Sequence, residues 1–381
     1  MPIKYLLYKL GGEEMSDSER LHKAIRKLVN DMLPEMLEDN RITLAQLTTG
    51  ILRSGQVQFR KVAQKLKYHF KKTSLEDKFR RFVRNENINV DVEYLPFAQF
   101  IVSSLIENQE KLVLLIDSSK SGGRCICLMV SVYYKGRALP FCWTIYKGRK
   151  GHSSIDTQLA LLKNAYTLVP DDVSVVLLGD GEFDGATVVD WMKKVNWQYA
   201  CRTARDTLIF YRDEWVALQN LPLAPKQEAF FTDVLFTQSV QVGPVNILAI
   251  WNEKEKCHWF IVTNFDTQEE ATTWYRKRFT IETLFSDIKG RGFNLDKTRL
   301  YIPDRVSRLI LAVSIAYIFS IFLGVDLIHS GKLGELVRTD DSYYSLFQLG
   351  LIYLDHLLNE CLPFPDLYLP PPDSFYYLSY I

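Results

Sequence analysis

The chain has no excess of charge of either sign. Its 46 Lys and Arg stand against 45 Asp and Glu. A uniformly polybasic binder is therefore excluded, and any nucleic-acid contact must come from local clustering. No C-x-x-C pair occurs among the six cysteines, Cys125, Cys127, Cys142, Cys201, Cys257 and Cys361. That spacing argues against a zinc site and for reduced thiols in a cytosolic protein. The longest apolar run, Leu309 to Leu323, includes Ser314 and Ser320. It falls short of the roughly 20 residues of a membrane span, so a buried helix is expected and no membrane partner. No apolar run followed by a small-residue cleavage site opens the chain, so no signal peptide is expected. A Walker loop and a G-x-S-x-G elbow are both missing, which excludes those two chemistries. There is no internal repeat and no long linker.

What is present is enough apolar matter for a large core. With 47% hydrophobic and 13% aromatic residues, two or three domains are expected. Residues 1–105 read as a helical region, with helices over 17–39 and 43–52, the second capped by Thr43. Between Arg53 and Arg84, eleven Lys or Arg stand against only Glu76 and Asp77, interleaved with Phe59, Tyr68, Phe70, Phe79 and Phe82. Segments 57–68 and 74–84, broken at Lys71–Thr73, have the length of a helix-turn-helix pair. The clustering favours DNA contact over an ordinary basic surface.

Residues 106–204 read as alternating strands and helices. Lys111–Asp117 is an apolar run ending in an acid. Two further strands follow, about 124–134 and 138–146, joined by a hairpin at Lys135-Gly136. Then come a helix at 155–168, a second apolar strand at 173–179 ending in Asp180, a helix at 184–195 and a strand at 198–203. Residues 205–263 form a β-rich insertion, residues 264–302 carry a helix, and 303–381 are a helical C-terminal region with Pro370–Pro372 in a polyproline turn. The fold class is α/β, in mixed layers.

The most informative residues are Tyr275, Arg278, Glu282 and Lys289, at offsets 0, 3, 7 and 14. On one continuous helix they would point within about 60° of one another. Trp274, Ile281, Leu284, Phe285 and Ile288 form a separate apolar face. The plainer reading of the polar stripe is a solvated face with an Arg278–Glu282 pair. The acids Asp117 and Asp180 would lie side by side at the carboxyl edge of a sheet, where open α/β sheets bind ligands. Each alone could be a cap or turn residue. Three converging carboxylates are costly unless a hard dication joins them, and Mg²⁺ or Mn²⁺ takes oxygen ligands. Two ions roughly 3.5–4 Å apart can clamp both oxygens of a phosphodiester displacement.

The helix fits Y-x2-R-x3-E-x6-K without a gap. With L-L-I-D-S-S around Asp117, L-L-G-D-G-E-F-D-G around Asp180 and a β-rich interruption before Glu282, the chain resembles DDE transposases of bacterial insertion sequences, in the Y-R-E-K (insertion-sequence-4-like) branch. The resemblance covers roughly 111–300. It implies an RNase H-like core in which Asp117, Asp180 and Glu282 bind two Mg²⁺ (or Mn²⁺) ions as the catalytic triad. It implies that Tyr275, Arg278 and Lys289 grip DNA phosphates. Trp259 would stack a flipped base during a hairpin step; Trp251 is the competing tryptophan, and sheet packing the plainer role. Ser286 stands where some relatives place a phosphate-binding lysine, and Arg291 is the candidate substitute. Gly181 replaces the arginine that often follows the second acid. His152, after the basic loop Lys147–Gly151, is read as a surface residue.

The expected function is therefore a cut-and-paste DNA transposase. Its partners would be the double-stranded transposon ends and target DNA, bound as a homodimer through helices after 303. The expected location is the bacterial cytoplasm, at the nucleoid. The alternatives are an RNase H-like structure-specific nuclease and a transposase-derived DNA-binding protein that no longer cuts.

Overall fold

The structure, a computed structural model, describes residues 15–67, 71–106, 111–338, 344–366 and 369. Tyr68, Phe70 and Pro370–Pro372 lie outside the described residues. Five helices come first: α1 (Asp17–Met32), α2 (Glu38–Ser54), α3 (Phe59–Gln64), α4 (Lys72–Arg84) and α5 (Val90–Ile106). The expected helix over 17–39 is cut at Leu33, because Pro34 disfavours helical backbone in the residue before it. Thr43 is not a cap. It lies buried inside α2 and its hydroxyl donates to the Asp39 carbonyl at 2.6 Å.

The basic stretch sorts by side. Phe79, Phe82 and Leu75 of α4 point into the core, while Arg60, Lys61, Lys65, Lys71, Lys72, Arg80, Arg81 and Arg84 are exposed. Among the described residues, Phe59, Phe79 and Phe82 therefore pack the helices, while most of the cations face outward.

One ten-stranded sheet runs through the rest of the molecule. Its first part comprises β1 (Leu112–Lys120), β2 (Cys125–Tyr134), β3 (Arg137–Lys147), β4 (Val175–Gly179) and β5 (Gln198–Thr203), with α6 (Ile155–Leu168) and α7 (Ala186–Lys194) between them. Their order is 3-2-1-4-5. β1, β2 and β3 pair antiparallel, and β4 and β5 run parallel to β1. This is the arrangement of an RNase H-like core. β1 and β4 are buried over nearly their whole length, as expected for the centre of a sheet covered on both faces.

Residues 205–263 supply β6 (Leu208–Tyr211), β7 (Glu214–Ala217), β8 (Ala229–Phe236), β9 (Val242–Asn252) and β10 (Cys257–Thr263). β10 pairs antiparallel with β5, so these strands extend the same sheet in the order 10-9-8-6-7.

Two helical segments follow, α8 (Gln268–Arg276) and α9 (Thr280–Ile288), then α10 (Pro303–His329), the short α11 (Leu333–Leu336) and α12 (Leu346–Asn359). α10 passes the length and hydropathy test for a membrane span, yet 94% of its most apolar window is buried inside the protein. It packs on β3, α2, α4, α5 and α12. It is the core helix, so the expectation that helices after 303 supply a dimer contact does not hold for α10. Buried Arg308 ties it to the N-terminal helices through the carbonyls of Val83 and Ile88.

α10 and α12 cross with their backbones in contact. A Cβ on Gly350 would stand 1.7 Å from the Ser320 carbonyl oxygen. Gly350→Val is expected to cost at least about 3 kcal/mol in denaturant unfolding, since neither helix can retreat from the core.

His22 of α1 is held down to about 4, by burial first and then by Arg26 and Lys78. A histidine lowered in the fold contributes stability that is complete above its unfolded value, about 6.5, and lost as pH falls toward the folded one. Between pH 6.5 and 4.5 the protein is expected to lose stability more steeply than His22→Gln. Equal slopes in parallel thermal melts would contradict this.

Candidate active site

The register of two parallel strands creates the site. Ile116 of β1 lies beside Gly179 of β4, and the next residues are Asp117 and Asp180. β4 ends there while β1 continues to Lys120, still paired with β2. The first acid therefore sits within its strand rather than at its tip, and the departing β4 opens a notch beside it.

Asp117 is 1% exposed. Burial pushes its carboxyl up to about 6, and Asp180 adds to the rise. Lys150 opposes it from 3.7 Å, and the Ser118 amide donates to its Oδ1 at 2.6 Å. Asp180 accepts the Glu182 amide at 2.9 Å.

The stretch bearing the third acid is not one continuous helix. α8 ends at Arg276, Lys277–Phe279 tighten into a 3₁₀ turn, and α9 begins at Thr280. Lys289 follows α9 in a non-helical conformation. The simple angular stripe is thus broken: Tyr275, Arg278 and Glu282 stay together, while Lys289 turns to Ser119 of β1. Arg278, buried in the turn, donates to Glu282 Oε1 at 2.7 Å. Burial opposes the Arg278 charge, but Tyr275, Glu282 and Asp117 outweigh it and raise its pKa. Its Nε is buried without a hydrogen-bond partner. Tyr275 is likewise buried with its hydroxyl unpartnered, and burial pushes that hydroxyl up to about 12. In this conformation Tyr275 is a wall of the site and its hydroxyl is not exposed. Lys289 reaches back to the Ser119 hydroxyl, and burial lowers its pKa.

The apolar face behaves as expected: Ile281, Leu284, Phe285 and Ile288 are buried. Trp274 is only partly so, lying under the Lys277 amine at 3.9 Å. Arg291 is exposed, and its charge is felt at Asp287.

Trp259 is partly exposed on β10. Its indole N–H donates to Glu255 at 2.8 Å, and Arg202 lies 4.2 Å over its ring. Phe279 stacks near it, centroids 6.1 Å apart at 24°, and the Arg278 guanidinium lies 4.2 Å over Phe279. Trp251 instead packs edge-on to His258, its indole N–H buried. Phe279 was not singled out by the sequence reading. Its signal was an aromatic inside a run of cations, and the structure leaves it 39% exposed.

The structure therefore sets Asp117 and Asp180 at adjacent register positions and ties Glu282 to Arg278, whose charge is felt at Asp117. Among the described residues, no three acids, histidines or cysteines are gathered closely enough to hold a metal. The donor set still fits a hard dication. Two adjacent carboxylates, one of them desolvated, are oxygen ligands whose cost an Mg²⁺ or Mn²⁺ ion would relieve. Glu282 would join them on leaving Arg278.

Residues 146–319 match the transposase DDE domain family. The match includes Asp180, Glu282 and the stretch from Tyr275 to Lys289, and begins after Asp117. Among solved structures, the chain is similar to the piggyBac transposase in a cryo-EM synaptic complex with hairpin DNA. That similarity has 13% identity and a TM-score of 0.46, over 95% of this chain and 82% of that one. No curated protein matches the chain.

A raised folded pKa means that the charged form of Asp117 destabilises the metal-free fold above about pH 6, and that this cost vanishes below about 3.8. Asp117→Asn is therefore expected to stabilise metal-free protein at pH 8 by roughly 3 kcal/mol and by about half of that at pH 5. A destabilised variant at pH 8 would show that the carboxylate has a structural role.

Proposed function

We propose that this protein is a cut-and-paste DNA transposase of the insertion-sequence kind. It would hydrolyse phosphodiesters at terminal inverted repeats and join the freed ends to target DNA. The observation that carries the reading is the β1–β4 register, which sets two carboxylates side by side at the edge of an RNase H-like core, one of them buried at a free-energy cost. The match to the transposase DDE domain family over 146–319 supports it.

In this reading Asp117, Asp180 and Glu282 hold two divalent ions. The ions would supply Lewis-acid activation and charge neutralisation at the scissile phosphate. The protein's own groups do the rest. β1 and β4 hold the first two carboxylates at fixed separation, so little reorganisation is needed when DNA arrives. Glu282 leaves Arg278 to complete the ligand set. That frees a guanidinium, with an already unpartnered Nε, to fork onto a phosphate. Lys289, held at Ser119 two residues along β1 from Asp117, adds a point charge. Tyr275 walls the site and excludes water behind Arg278.

The exposed cations of α3 and α4 would hold the duplex by its backbone, in a salt-dependent way. Trp259 and Phe279, their rings stacked 6.1 Å apart, would offer a flipped base an aromatic surface. Arg202 and Glu255 hold the Trp259 ring in place. This arrangement suits a hairpin step, in which unstacking costs a few kcal/mol. A homodimer would bring two ends together, and the natural setting is the bacterial nucleoid.

The test is cleavage of a labelled duplex bearing the element's own flanking end, with Mg²⁺ or Mn²⁺. Wild type would be compared with Asp117→Asn, Asp180→Asn and Glu282→Gln. Metal-dependent nicking at the end, reduced at least roughly a hundred-fold in each variant, is expected. Cleavage that ignores the end sequence and follows DNA shape would indicate a structure-specific nuclease. Binding with no cleavage in any metal would indicate a protein that no longer cuts.

A further inference from the structure

Three segments meet at the buried carboxylate of Asp117, and one of them brings a lysine from a loop. β3 ends at Lys147, and residues 148–152, Gly-Arg-Lys-Gly-His, lead to α6. Gly151 adopts φ +81°, a conformation other residues rarely take, and there the chain turns back. The far end of this loop is tied down. Ser153 donates its amide to Glu182 Oε1 at 2.8 Å, and its hydroxyl donates to the same oxygen. The other oxygen of Glu182 accepts the Ser118 hydroxyl at 2.7 Å. Buried Gln158 donates to the Glu182 carbonyl at 2.9 Å and to the Ser153 hydroxyl at 3.0 Å. Glu182 thus joins the loop of the second acid, the residue after the first acid and the end of the basic loop.

The consequence of this latch is the place of Lys150. Its amine lies 3.7 Å from Asp117 Oδ1, although the side chain is 47% exposed. A second cation, Lys289, approaches the same carboxylate, and the two lysines influence each other as like charges. A dication entering this notch would meet both. Lys289 is half-buried and bonded to Ser119, whereas Lys150 sits on an exposed loop between two glycines. Lys150 is the cation free to leave.

We propose that Lys150 is a substrate-positioning residue of this site, resting on Asp117 in the metal-free protein and turning to a DNA phosphate when the ion takes its place. The inference rests on the reading that the site cuts DNA, but its first half concerns the metal-free protein alone. Glu182, acting through Ser153, sets the reach of the loop.

The test separates the two halves. Mn²⁺ affinity is measured by calorimetry at pH 8 without DNA for wild type, Lys150→Ala and Lys150→Gln, with Arg149→Ala as a charge control on the same loop. Metal-dependent end cleavage is then followed for wild type and the two Lys150 variants. Losing a competing cation should tighten Mn²⁺ binding about three- to ten-fold in both Lys150 variants and leave it unchanged in Arg149→Ala. Cleavage should fall at least about ten-fold, mainly through a higher KM for DNA. These opposite signs are the signature, because a purely structural lysine would weaken metal binding and cleavage together. Unchanged or weaker Mn²⁺ binding, or unaffected cleavage, would overturn the proposal. If wild type binds Mn²⁺ but cuts nothing, the transposase reading has failed, and the affinity shift still decides whether Lys150 competes for Asp117.

Discussion

The pairing of Ile116 with Gly179 is the constraint on which the rest depends. Because β1 and β4 run parallel and in this register, the residue after each pair member falls at the same level of the sheet. Both are aspartates. A one-residue slip would send every side chain of β4 to the opposite face. It would take Asp180 from the notch and turn the buried leucines of β4 to the other covered face, where they would have to repack. The apolar packing that stabilises the fold and the charge placement that makes the site are therefore set by one hydrogen-bonding pattern.

That placement creates an electrostatic debt, and the neighbourhood is arranged around it. Asp117 is almost wholly buried and Asp180 repels it. Lys150 reaches in from a loop, Lys289 from beyond α9 and Arg278 from the turn before it, while Glu282 is kept on Arg278. Such a cluster stabilises poorly for its composition, because desolvation offsets most of the Coulomb gain. Perturbed, partly unpaired groups of this kind mark functional sites more often than structural ones. The cost is borne by α10 and the ten-stranded sheet, whose continuous core packs from the N-terminal helices to α12.

Much of this was legible in the residues. The runs Leu112–Ile116 and Val175–Leu178 are apolar on every position, which marks buried strands, and each leads to an acid. The helix at 155–168 was legible to the residue, because Ser154 caps it and apolar positions recur at helical spacing. The grouping around Glu282 was legible as a motif, but its shape was not. No residue between Tyr275 and Lys289 is a helix breaker, so the 3₁₀ turn at Lys277–Phe279 follows from packing Arg278 inward and Phe279 outward. The union of residues 205–263 with the core sheet was hidden for another reason. β10 pairs with β5 across more than fifty residues of chain, and strand pairing at that range leaves no local signal. Lys150 was visible only as part of a basic loop, since its nearness to Asp117 depends on the Glu182–Ser153 tie.

The central claim is that Asp117, Asp180 and Glu282 form one divalent-cation site. The most direct measurement is the anomalous signal of Mn²⁺ in crystals of the protein grown or soaked with the ion. The account predicts density bridging Asp117 and Asp180, with Glu282 turned from Arg278 toward it. Mn²⁺ bound elsewhere, or an Arg278–Glu282 pair left intact at saturating Mn²⁺, would contradict it.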